Sequence, residues 1–161
     1  FKEIFEVIST IQNPKTIFLT MHFVTRVESE KALVDGFGST IRFLQGLGHR
    51  VILLGDIPRY DVSPEDCKYG ESITQVTQKC SMNFSNFQQQ TQIYESALQK
   101  LSSSFGIHFL SVHQPLCNKE RCQMILNKNI LYRDNHHLNI PGSILIGKML
   151  SNQLSKILSN H

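Results

Sequence analysis

The 161 residues contain no tryptophan, only four cysteines, and no long apolar run. Each shortage excludes something. A helix that crosses a bilayer needs ~20 consecutive apolar residues, and no stretch approaches that length. Neither cysteine pair has the Cys-x2-Cys spacing of a zinc knuckle, and no histidine lies close behind either pair. Without an indole, sugar stacking on Trp is excluded. Charge of one sign is scarce as well. The net +3 comes from basic residues scattered along the chain, which gives no nucleic-acid footprint and reads as a solvated, mildly basic surface. No signal-peptide pattern opens the chain. It begins at Phe1 and runs straight into a helical pattern, as expected of a piece excised from something longer.

What is present is enough for one core. At 40% hydrophobic, residues 1–161 read as a single globular domain, truncated at its start. Three β-like runs stand out: Thr16 to His22, Val51 to Leu54, and Ile107 to Val112. The second is continuously apolar and ends at Gly55, as a parallel strand buried on both faces should. Helical patterns lie beside them. Ile4, Phe5, Ile8 and Ile11 precede a break at Asn13-Pro14. Leu33, Phe37, Ile41 and Leu44 repeat on one helix face until Gly46 and Gly48 stop it. Phe87, Tyr94, Leu98 and Leu101 mark another helix, closed at Gly106. Asn139 can cap a last helix with Pro141 in its first turn and Ile146, Met149, Leu150, Leu154 and Ile157 as its buried stripe. Such alternation predicts an α/β fold with a mostly parallel sheet and helices on both faces. Two excursions interrupt it: a long polar loop over 57–86, and a small hairpin over 123–131 turning at Asn127-Lys128-Asn129.

Cys67 and Cys80 enclose twelve residues, and Cys117 and Cys122 enclose four. Even number and local spacing favour two disulfides, Cys67–Cys80 and Cys117–Cys122, over the other pairings, with free thiols and a metal site as the remaining readings. Disulfides imply an oxidising compartment such as the periplasm or the exterior.

The chemistry concentrates in Leu131-Tyr132-Arg133-Asp134-Asn135-His136-His137-Leu138. An imidazole held by a carboxylate three residues away can act as a general base, the carboxylate setting its tautomer and stabilising the imidazolium. The competing reading is a surface loop in which Asp134 starts a turn and the histidines bond locally. Loops at the carboxyl ends of parallel strands carry active-site groups, which favours the first. Sequential side chains should diverge, so His137 is expected to face the site and His136 to sit at its rim. A metal reading of Asp134, His136 and His137 lacks a further clustered ligand. His22 and Phe23 end the first run and are candidates for lining a substrate pocket. His108 lies within the third run and reads as structural; His113 follows it and could line the pocket. Tyr132 is expected to pack rather than react. Gly55-Asp56-Ile57-Pro58 has isoleucine where a Gly-Asp-Ser turn would have its nucleophile, and an aliphatic side chain cannot attack a carbonyl. No activated serine is evident among the 161 residues.

Four stretches carry a resemblance to a known family. They are Leu131 through Leu138 (Leu-Tyr followed by Asp-x-x-His-Leu), the short pair Cys117/Cys122 after Leu116, the segment Phe43 through Pro58, and the strand Pro14 through Phe23. Together they resemble the C-terminal part of an SGNH-hydrolase domain, in the version fused to membrane acyltransferases of the acyltransferase-3 family. The resemblance spans nearly the whole chain. It implies a three-layer sandwich of flavodoxin-like type whose N-terminal strand block is absent, with His137 as general base and Asp134 as its orienter. By the same token it implies O-acyl transfer, namely O-acetylation of a cell-surface glycan, in a periplasmic or other extracytoplasmic domain of a membrane-anchored protein. The partners would be an acyl donor delivered by the membrane domain, a glycan acceptor and an upstream segment completing the sheet, with no nucleic acid and no cofactor. The family's Gly-Asp-Ser-His block has no counterpart here, so the serine would come from outside these residues and the 161 residues alone would be inactive. Two other readings stand beside this one: a non-catalytic α/β binding or accessory module, and a secreted carbohydrate esterase.

Overall fold

The computed structural model describes residues 2–23, 29–67 and 73–159, which group into two compact units. The first comprises residues up to Gly55 together with Ile93–Leu110; the second comprises Asp56–Gln92 and the residues from Ser111 onward. α1 (Lys2–Ser9), β1 (Thr16–Leu19), α2 (Glu30–Gly46), β2 (Arg50–Leu54) and β4 (His108–Leu110) belong to the first. Its strands form one parallel sheet in the order β1-β2-β4, with Ile17 opposite Val51 and Leu53 opposite Phe109. The middle strand is continuously apolar because both its faces are covered: Val51, Ile52 and Leu53 are at most 1% exposed. Val51 and Leu53 pack with Leu33, Ile41 and Leu44 of α2 and with Tyr94, Leu98 and Leu101. These last three lie on α4 (Phe84–Phe105), a 22-residue helix whose first nine residues belong to the other unit.

Local chemistry sets the helix limits. The Ser29 hydroxyl accepts from the Ala32 N–H at the start of α2. At its end Gly48 takes a φ of 79°, the left-handed conformation that glycine adopts without a Cβ penalty, and the chain turns directly into β2. The first and third β-like runs are shorter than their composition suggests. β1 stops at Leu19, three residues before His22, and β4 at Leu110, before Ser111 and Val112.

The second unit departs further from expectation. The stretch 57–86 is not a plain loop. It holds a 3-10 turn (Pro64–Cys67), α3 (Ile73–Lys79) and β3 (Ser81–Asn83), which pairs antiparallel with β5 (Arg121–Gln123). Cys67 is bonded to Cys80 just before β3, and Cys117 to Cys122 within β5, so each strand of this ribbon is tied by a disulfide. Next come β6 (Ile125–Leu126) and β7 (Asn129–Ile130), a two-stranded hairpin whose turn residues Asn127 and Lys128 have φ values of 50° and 66°. Met124, Tyr60 and Tyr132 are essentially inaccessible, and the two phenol rings meet edge to face at 5.1 Å. α5 (Ile140–Ser159) closes the chain, with Ile146 buried and Met149, Leu150, Leu154 and Ile157 half-buried. Among the described residues no helix is long and apolar enough to cross a membrane.

Candidate active site

The Asp134 segment is a miniature hairpin. The Arg133 N–H donates to the His137 carbonyl, Tyr132 and Leu138 face each other in an antiparallel bridge, and the Asn139 N–H donates to the Leu131 carbonyl. Asn139 clamps its base. One side-chain Nδ2–H donates to the Ile130 carbonyl at 2.8 Å, and Oδ1 accepts from the Gly142 N–H at 3.0 Å as the N-cap of α5. From the other side, the Tyr60 N–H holds the Asn135 carbonyl at 2.8 Å. The loop between Arg133 and His137 therefore has little freedom.

Within it Asp134 turns inward on its own backbone. Oδ1 accepts from the N–H groups of His136 (3.0 Å) and His137 (2.8 Å), while Oδ2 lies 2.8 Å from Nδ1 of His137. Partial desolvation works to raise this carboxyl. The His136 N–H, the His137 ring and the His137 N–H outweigh it and hold the group well below the usual carboxylate range. An ionised carboxylate only accepts, so the proton in the Oδ2 contact sits on Nδ1 of His137. In the neutral ring Nε2 then keeps the lone pair, on a side chain that is 53% exposed. This is the tautomer a general base requires. Arg133 is a looser companion, 3.7 Å from Oδ2.

The rings of His136 and His137 do not diverge as sequential side chains were expected to. Their centroids are 3.9 Å apart, and Nδ1 of His136 lies 2.6 Å from Oδ1 of Asn135 and 3.4 Å from Oδ1 of Asp134. The tight turn, with both backbone N–H groups drawn to one carboxylate oxygen, carries the two side chains to the same side. His136 is thus part of the cluster rather than its rim.

Of the sequence-derived site residues, the structure brings together Asp134, His136 and His137. Phe23 is corrected: it is fully buried in the first unit, stacked on Tyr94 at 4.9 Å and beside Phe37, and so serves the core instead of a substrate pocket. His22, half-buried, also lies in the first unit. Asp56 accepts from the N–H of Ile57 at 2.9 Å, and the isoleucine side chain offers no nucleophile. One pair escaped the sequence reading. The Ser111 hydroxyl is 2.8 Å from Nδ1 of His113, whose ring packs against Phe87 and Phe84. Ser-Val-His directly after a strand was its only signal: residues i and i+2 share a face even in a strand, and this pair closes to hydrogen-bond distance beyond the strand end at Leu110.

A parallel α/β sheet together with a loop-borne Asp–His pair before the last helix is the arrangement expected of an SGNH-type domain. The chain belongs to the SGNH domain family described as fused to AT3 domains, whose pattern matches residues 1–152. No curated protein sequence matches it. Among solved structures it resembles the periplasmic domain of the Salmonella ser. Paratyphi A lipopolysaccharide acetyltransferase, with a TM-score of 0.65 at 18% identity. The alignment covers 95% of this chain and 61% of that one, so the present residues span under two thirds of the relative's length.

Proposed function

We propose that these residues form the Asp–His-bearing part of an O-acyltransferase that moves an acetyl group to a hydroxyl of a cell-surface glycan. The observation that carries the reading is the 2.8 Å contact between Asp134 Oδ2 and His137 Nδ1, inside a domain of the SGNH family. The acetyl group and the glycan are inferred from the relative's lipopolysaccharide acetyltransferase activity. The two disulfides support an extracytoplasmic setting, and the family's association with AT3 domains supports a membrane acyltransferase domain as the source of the acyl group.

In this reading a serine outside the 161 residues attacks the carbonyl of the acyl donor, and Nε2 of His137 takes the hydroxyl proton. The imidazolium, stabilised by Asp134, returns that proton to the leaving group as the tetrahedral intermediate collapses to an acyl-serine. His137 then removes the proton of the acceptor hydroxyl, which attacks the acyl-serine and regenerates the serine. Water in place of the sugar gives ester hydrolysis by the same steps.

Acetyl transfer or ester cleavage by the complete polypeptide tests it. His137→Ala should lower kcat about 10³-fold or more, and Asp134→Asn should lower it on the order of 10²–10⁴-fold by releasing the tautomer. Full activity of the His137→Ala protein would sink the reading in favour of a non-catalytic module.

A further inference from the structure

The Asp134 cluster offers more than a dyad uses. Asp134, His136 and His137 each present a ligand atom, and those atoms lie within 4.8 Å of one another. The set is two imidazoles and a carboxylate, the donors that borderline first-row dications select over magnesium or calcium. All three groups are at least partly exposed, at 40%, 32% and 53%, so an ion can enter without unfolding the loop and keep its remaining positions for water. Loop closure by Asn139 and Tyr60 already fixes the backbone beneath them, leaving only side-chain torsions to adjust.

We propose that Asp134, His136 and His137 form a zinc-binding site whose occupation switches off His137 as a base. A neutral imidazole gives a metal whichever nitrogen lacks the proton. Zinc on Nδ1 requires the other tautomer, in which the ring proton moves from Nδ1 to Nε2, so no lone pair faces the substrate. Zinc on Nε2 takes that lone pair directly. The Nδ1 mode also occupies the Asp134 carboxylate, so there metal and ring proton compete for the same oxygens. His136 sets this arrangement apart from an ordinary Asp–His pair, because it supplies the third ligand from the adjacent position.

Zinc binding is a property of the three side chains alone; only the inhibition rests on His137 serving as base. The test therefore reads binding separately from turnover. Zinc chloride is titrated calorimetrically into the full polypeptide in metal-free buffer, and the cobalt ion is used as a paramagnetic probe of histidine NMR signals. One equivalent should bind, and cobalt should broaden the His136 and His137 ring signals together. Asp134→Asn, His136→Gln and His137→Gln should each weaken zinc roughly 10–100-fold. In the assay, the zinc concentration that halves activity, measured against each protein's own zinc-free rate, should rise similarly in His136→Gln. A parent that binds no zinc, a His136→Gln protein that binds as tightly as the parent, or cobalt broadening centred on other histidines overturns the site. Zinc binding intact alongside an active His137→Ala protein would instead remove the catalytic reading and leave the metal site standing.

Discussion

Burial pushes the phenols of Tyr60 and Tyr132 up and the ring of His113 down, and His113 carries the clearest consequence for stability. Its ring lies 4.6 Å from that of Phe87 and 5.8 Å from that of Phe84, and the Ser111 hydroxyl meets Nδ1. Desolvation lowers its pKa below the ordinary value of 6.5. In the window between the lowered folded value and 6.5 the unfolded chain binds the proton more readily, so stability rises with pH there and levels off above it. The denaturant midpoint should therefore fall as pH drops from 7 toward 5, and His113→Gln should flatten that slope. An unchanged slope would show that His113 is not the group responsible. The contrast with Asp134 explains what a sequence reveals at this scale. Asp134 and His137 were legible because their whole interaction lies within four consecutive residues. Phe23 was not, since an aromatic after a strand looks the same whether the chain then turns it toward solvent or under a helix. His136 was misplaced because alternation of side chains holds in a strand and fails in a turn closed by one carboxylate.

Elements were readable where periodicity and punctuation agreed. β2, α2 and the α5 stripe follow directly from apolar spacing and from Gly48, Asn139 and Pro141. The stretch 57–86 was not readable, because β3 is three residues long and is defined by its partner β5, some forty residues away, and by Cys67–Cys80. The docking of α5 gives this scale its prediction. A Cβ on Gly142 would sit 2.1 Å from the Leu131 carbonyl oxygen and 3.0 Å from Leu138, both part of the hairpin that carries Asp134. A backbone oxygen cannot swing aside as a side-chain tip can, so Gly142→Ala should cost on the order of 2–4 kcal/mol and displace the Asp134 loop. Gly147, on the same helix with nothing within 4 Å, is the control. Its change to Ala should stabilise by about 0.5–1 kcal/mol through helix propensity. Chemical denaturation of both variants checks the pair, and equal effects would contradict the close approach at Gly142.

Across the whole chain, stability is supplied in two different ways. The first unit has a covered parallel sheet and a contiguous apolar core built on Val51, Leu53, Leu98 and Leu101. The second has strands of only two or three residues and carries both disulfides. Cross-links matter most where a core is thin, because they restrict the unfolded chain rather than add native contacts. On loop-closure grounds the thirteen-residue separation of Cys67–Cys80 is worth about 3 kcal/mol and the five-residue separation of Cys117–Cys122 about 2 kcal/mol. Together these are comparable to the ~5–15 kcal/mol that holds a typical domain folded. Reduction should therefore act unevenly. Hydrogen exchange after treatment with a strong reductant should speed up first at the amides of β3, β5 and the Asp134 hairpin. Val51 through Leu54 should remain protected longest. Simultaneous loss of protection in both sets would mean that the sheet, too, depends on the cross-links. If the uneven result holds, activity should be lost at reductant concentrations that leave the sheet amides intact, because the Asp–His pair is carried by the stapled unit.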